Sequence, residues 1–212
     1  CMLIVAPHDS VGAAPIVAQA KALNVPIIAY DRLIQSKDLN YYVSFDNVAV
    51  GQLQGQYIVT HYQQYQQAGK ANTVMINGSQ TDTNALLFST GSHAALDPLF
   101  ANGNLKNISE TFIPDWNNST AQAEMEVYLT DQHNDIQIAY VANDGMANSV
   151  ITALKAVGLN GKILVTGQDA TTTGIHNILA GDQDMTVYKP IARLAQSVGD
   201  LVKTLYHGSN VA

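Results

Sequence analysis

Apolar residues along this chain come in short unbroken runs, and nearly every run ends in polar residues. The runs are "MLIVAPHD" (Met2 to Asp9), "PIIAYDR" (Pro26 to Arg32), "TVMINGSQTD" (Thr73 to Asp82), "IQIAYVAND" (Ile136 to Asp144), "KILVTGQD" (Lys162 to Asp169) and "MTVYK" (Met185 to Lys189). Continuous runs suit strands covered on both faces, as in a parallel sheet. The segments between them have helical spacing. Ile16, Ala20 and Leu23 predict one buried helical face, Leu53, Tyr57 and Thr60 a second, and Val150, Leu154 and Val157 a third. Asn118, Ser119 and Thr120 offer N-caps before "AQAEMEVYL", and Gly158, Gly181 and Gly208 follow helical runs as stops. The pattern predicts an α/β protein with parallel sheets flanked by helices. In such a sheet the carboxyl ends of the strands share one edge, where ligands bind, so the polar strand ends should converge.

Composition narrows what they converge on. With 212 residues, 47% of them hydrophobic and 13% charged, the chain can bury the core of one large domain or two small ones. A net charge of −7 and only two arginines, Arg32 and Arg193, argue against nucleic acid as a partner. No apolar run approaches the roughly 20 residues of a membrane-spanning helix. Cys1 is the only cysteine, which excludes an internal disulfide; it reads as a cut edge rather than a lipidated N-terminus. The six histidines lack the spacing of a helical metal site, and no dinucleotide, phosphate-loop or nucleophile-elbow motif occurs. Neither metal nor cofactor is expected, and binding is favoured over catalysis.

The strand tips hold out Asp31, Arg32, Asp82, Asn84, Asn143, Asp169 and Lys189. A sugar hydroxyl both donates and accepts, so a site for a neutral polyol needs carboxylates for its protons and Arg, Lys or amide groups for its oxygens. Trp116, the only tryptophan, lies in the polar stretch "FIPDWNNST". It either covers a nearby core or offers a flat face to the C–H surface of a pyranose. Blander readings stand beside the others: Asp169 as an N-cap on the next helix, Asp144 as the cap on "GMANSVITAL", and Asp31 as an ion pair orienting Arg32.

"PIIAYDRLI", "YYVSFDN", "NGSQTDTNALLF", "YVANDGMA", "LVTGQDATTTGI" and "MTVYKPI", in this order and spacing, resemble the sugar-binding proteins of bacterial ABC importers. "TVYKPI" and the tryptophan after "PD" point within them to the D-xylose-binding group. The resemblance implies a periplasmic-binding-protein fold of two lobes, each a parallel sheet flanked by helices. It divides the chain into a C-terminal lobe of residues 48–188 and an N-terminal lobe of residues 1–47 plus 189–212. The latter is read as incomplete, because the family places further strands and helices before "MLIVAP". Arg32, Asn143 and Asp169 would hydrogen-bond the sugar, Lys189 would reach it from the hinge side, Trp116 would stack on it, and Asp31 and Asn84 match other pocket positions. The implied protein is not an enzyme. It closes its lobes around a pentose, D-xylose above all, and presents itself to a membrane permease, in the periplasm or anchored outside a Gram-positive cell. Two other roles remain open: a sugar-sensing subunit feeding a membrane histidine kinase, and the effector core of a sugar-responsive transcription repressor.

Overall fold

The computed structural model describes residues 1–69 and 71–208. In chain order the elements are β1 (Leu3–Val5), α1 (Ala14–Ala22), β2 (Ile27–Tyr30), β3 (Tyr41–Val43), α2 (Asn47–His61), β4 (Asn72–Asn77), α3 (Thr83–Ala101) and β5 (Lys106–Phe112). They continue with α4 (Asn118–Asp131), β6 (Ile138–Val141), α5 (Asp144–Ala156), β7 (Leu164–Val165), α6 (Thr172–Leu179) and α7 (Ile191–Tyr206). The chain folds as two compact units. One comprises Cys1–Asp46, Thr81–Asn84 and the segment from Lys189 onward; the other comprises Asn47–Gln80 and Ala85–Tyr188.

In the smaller unit β1, β2 and β3 pair in parallel in that order. Its buried apolar cluster is Ala13, Val17, Ala20, Ile27, Ala29 and Ile34. Helix α1 turns Val17 and Ala20 inward; of the expected face only Ala20 is buried, while Ile16 is exposed and Leu23, the C-cap, is 74% exposed.

The larger unit is built on a parallel sheet in the order β5-β4-β6-β7. The central strands β4 and β6 are buried at every position, the apolar Val74 to Ile76 and Ile138 to Val141 together with the polar Asn72, Thr73 and Asn77. Strand β5, "KNISETF", escaped the apolar scan because it is an edge strand, with no fully buried residue. Met185 to Lys189, read as a strand, is not one; only Val187 forms a single bridge, to Gln168.

Helix α2 also departs from the reading. Leu53 is 57% exposed, while Val50, Gly51, Gln54, Gly55 and Ile58 are buried. Glycine explains it: a β-carbon on Gly51 would overlap the carbonyl of Phe88, and one on Gly91 would overlap that of Val48. Backbone-to-backbone approach of α2 and α3 leaves room only for hydrogen at these two glycines, so the buried face of α2 runs through Gly51 and Gly55 and Leu53 is turned outward. Gln54 at its centre is satisfied, donating to the Val141 carbonyl at 3.0 Å and accepting from the Tyr140 hydroxyl at 3.3 Å.

The helix ends follow the expected chemistry with shifted positions. Asn117, not residues 118–120, caps α4 by accepting from Thr120 N at 2.9 Å. Val150 and Leu154 are buried on α5, whereas Val157 is its exposed C-cap. Gly158, Gly181 and Gly208 follow α5, α6 and α7 with φ of 69°, 76° and 71°.

Candidate functional site

Because all strands of the larger sheet run parallel, their carboxyl ends lie on one edge. Following β5, β4, β6 and β7 in their spatial order, that edge carries Trp116, Gly78, Asn143 and Asp169. Trp116 closes a 3-10 turn, Pro114–Trp116, in which Asp115 and Trp116 both take left-handed φ, 54° and 55°. Such conformations cost about 1–3 kcal/mol each and persist only where surrounding contacts hold them. Here the indole rests on Gly78, meets the Phe88 ring edge-on at 6.2 Å between centroids, and packs partly against the core. Trp116 thus does cover core, as the blander reading held, and remains half-buried.

Asn143 stands at the end of β6 as the N-cap of α5. Its Oδ1 accepts from Met146 N at 2.9 Å, which leaves its Nδ2 outside the cap. The cap role read for Asp144 therefore belongs to the residue before it. Asp144 is fully buried and accepts from Thr171 N at 2.8 Å, Thr171 Oγ1 at 3.1 Å and Gln183 Nε2 at 2.9 Å.

Asp169 follows β7 with φ of 101°, and Ala170 follows at 49°. Its N–H donates to the Val187 carbonyl at 2.9 Å, and its Oδ2 accepts from Gln168 Nε2 at 3.4 Å. It does not cap the next helix. Thr171 does, accepting from Gly174 N at 3.0 Å. The sequence has no need of a carboxylate here for helix capping.

The smaller unit gathers its own polar cluster at the end of β2. Arg32 Nε lies 3.0 Å from Asp82 Oδ2, and the Asp82 side chain is 1% exposed. Asp82 Oδ1 accepts from Asn84 N at 3.0 Å, and Asn84 Nδ2 donates to the Asp31 carbonyl at 3.2 Å. Asp31, with φ of 62°, also accepts at that carbonyl from Ser44 Oγ at 2.6 Å. The blander reading of Asp31 was an ion pair orienting Arg32; the structure shows Asp82 in that task, a buried acceptor that fixes the guanidinium by a charge-assisted bond. Lys189 is buried in this unit, its Nζ 5.7 Å from the centre of the Phe45 ring.

Arg32, Asp31 and Asn84 thus form one cluster, and Trp116, Asn143 and Asp169 share one sheet edge. Reading the sequence missed Gly78, although a glycine directly after a strand was a visible signal, and it placed Asp82 at a strand tip without the task of holding Arg32. Among the described residues no group of three or more His, Cys, Asp or Glu side chains could hold a metal ion, and no helix is long and apolar enough to cross a membrane.

Comparison with known proteins bears on this arrangement. A family model for the periplasmic binding protein domain matches residues 2–209. The D-xylose-binding periplasmic protein of Haemophilus influenzae is 38% identical over 204 residues, covering 96% of this chain and 60% of its own length. Its Escherichia coli counterpart of the same name is 36% identical over 207 residues, covering 98% of this chain and 61% of its own. The chain therefore spans about three fifths of the length of these relatives. Among solved structures, an ABC transporter solute binding protein from Clostridium phytofermentans with bound β-D-glucose superposes with a TM-score of 0.89 at 29% identity, over 100% of this chain and 69% of that one. The parallel sheets with polar carboxyl ends and a family match running almost the whole length have one explanation: the chain belongs to the periplasmic binding protein family.

Proposed function

We propose that this chain binds a monosaccharide, D-xylose in particular, as the solute-binding part of an ABC importer working outside the cytoplasmic membrane. The observation that carries the reading is the edge of the larger sheet, where a half-buried indole, an amide donor and a carboxylate follow neighbouring strands at Trp116, Asn143 and Asp169. An apolar ring face suits the C–H surface of a sugar, and the Asn143 Nδ2 and Asp169 carboxylate suit the donor and acceptor halves of its hydroxyls. Arg32, Asp31, Asn84 and Lys189 are further candidates for sugar contact. Arg32 is suited to the task because Asp82 already holds its Nε, so little side-chain freedom is lost on binding.

The preference for xylose rests on the names of the two relatives and on "TVYKPI" with the tryptophan after "PD". The role is binding without catalysis, and the membrane partner is a permease. The test is a titration of intrinsic tryptophan fluorescence, which reports Trp116 alone, with D-xylose, L-arabinose, D-ribose and D-glucose. A saturable change, tightest for D-xylose, is the expected outcome. Saturation with D-glucose only would keep the sugar and overturn the xylose assignment, and a flat response to every sugar, with calorimetry equally silent, would overturn the function.

A further inference from the structure

We infer that Asp144 is a positioning residue for sugar recognition, holding Asp169 in its binding geometry from beneath. The inference rests on the reading of Asp169 as a sugar contact. Asp144 is fully buried, and its carboxylate makes no use of its place at the start of α5. One oxygen is directed into the loop that follows β7 and the other to the segment that follows α6. Oδ2 takes the N–H and Oγ1 of Thr171, two residues beyond Asp169. Oδ1 takes Gln183 Nε2, and that same nitrogen donates to the Met185 carbonyl at 2.9 Å. The segment so fixed includes Val187, whose carbonyl accepts from Asp169 N. Asp144 N, in turn, donates to the Gln168 carbonyl at 3.0 Å. Asp169 is gripped on both sides through one buried carboxylate.

That grip has work to do. Asp169 and Ala170 both hold left-handed φ, which non-glycine residues leave unless neighbouring contacts prevent it. The surroundings are cut to admit the carboxylate: a β-carbon on Gly167 or Gly174 would overlap its oxygens. Asn143, the adjoining residue, is another of the proposed sugar contacts, so the rigid link sets the distance between an amide donor and a carboxylate acceptor. A buried charge fully hydrogen-bonded is suited to this, since losing one partner strands the other.

A double-mutant cycle on D-xylose affinity tests the inference. Asp144→Asn keeps the shape but can accept from Thr171 or from Gln183 and not from both, and Gly174→Ala keeps the charge while forcing it off Thr171. Each is expected to weaken xylose binding about tenfold or more in the otherwise native chain, and less than about threefold in an Asp169→Ala background, because the effect runs through Asp169. Equal losses in both backgrounds would reduce Asp144 to general support of the unit and overturn the inference, as would unchanged affinity in the single variants. Should Asp144→Asn not fold, Gly174→Ala carries the cycle by itself. If Asp169→Ala alone leaves affinity intact, the sugar-contact reading fails first, and that result is distinct from the other two.

Discussion

The indole of Trp116 rests directly on the backbone of Gly78, so that a β-carbon at Gly78 would overlap its Cη2, Cζ2 and Cζ3 atoms. Gly78 follows the central strand β4 and Trp116 follows the edge strand β5, so the glycine sets how low the ring lies over the carboxyl edge of the sheet. A methyl group there must lift or tilt the ring, since the buried backbone beneath it directly follows a fully buried strand.

Gly78→Ala is therefore expected to shift the emission of the sole tryptophan and to weaken sugar binding about tenfold, at a stability cost of about 1–3 kcal/mol, the usual range for overpacking. Fluorescence spectra, a sugar titration and thermal melts on one sample check the three effects together. Unchanged emission and affinity would mean the ring is not seated by Gly78.

How far the sequence reading reached follows from which surfaces each element buries. Strands β2, β4 and β6 announce themselves because a strand covered on both faces carries a continuous apolar stretch, here Ile27–Tyr30, Val74 to Ile76 and Ile138–Val141. Strand β5 could not, since one flank has no partner strand and its polar residues reach solvent. The α2 face was misjudged because glycine contact between helices buries what a hydrophobic scan scores as neutral; Gly51 and Gly55, four apart, were the signal to weigh. In the site, the strand-end rule led to Arg32, Asn143 and Asp169 correctly as neighbours of strand termini. It could not tell which carboxylate would meet Arg32, because Asp82 is distant in sequence and its pairing is a tertiary fact. Nor could it separate Asn143 from Asp144, adjacent residues of similar capping propensity, one of which caps while the other is buried in hydrogen bonds.

A pH-dependent stability is expected from His93 on α3. Its Nδ1 lies 2.7 Å from Asp97 Oδ1 and its Nε2 lies 3.0 Å from Glu110 Oε2, while Glu110 Oε1 also accepts from Asn77 Nδ2 at 2.8 Å. Burial pushes the imidazolium down, but the hydrogen bonds to Asp97 and Glu110 outweigh it and raise the pKa above its ordinary value. A base whose folded pKa is raised stabilises fully below its unfolded pKa of about 6.5, and that contribution fades as pH rises through the higher folded value. Native protein should thus lose stability relative to His93→Gln as pH rises from about 6.5 into the mildly alkaline range, by at most about 1 kcal/mol given solvent screening. Denaturant midpoints of both proteins across that range provide the check, and parallel curves would remove His93 from the account.

The two units should also differ in how readily they open. In the larger unit the buried cluster draws on strands β4, β6 and β7 and on helices α2 to α5, with Met75, Ile76, Met125, Ile138, Tyr140, Ile151 and Leu164 among its fully enclosed side chains. The smaller unit's cluster has six residues, three of them alanine. Strand β1 is three residues long, pairs among the described residues only with β2, and leaves Leu3 and Ile4 41% and 51% exposed. Burying an aliphatic side chain is worth about 1.5–3 kcal/mol, so two that are half exposed forgo about that much between them. Local opening free energies follow buried apolar contact, and about 1.4 kcal/mol corresponds to a factor of ten. Amides of residues 3–5 and 27–30 are accordingly expected to exchange at least about tenfold faster than those of residues 138–141. Sugar binding should slow exchange at the end of β2 if Arg32 takes part in holding the ligand, since a ligand bound to the folded form alone suppresses opening by mass action. Hydrogen exchange followed by mass spectrometry, with and without D-xylose, reads both effects. Equal protection of the two sets in the sugar-free protein would show that the smaller unit's cluster of six suffices, and no change near Arg32 on adding a sugar that demonstrably binds would take Arg32 out of the site.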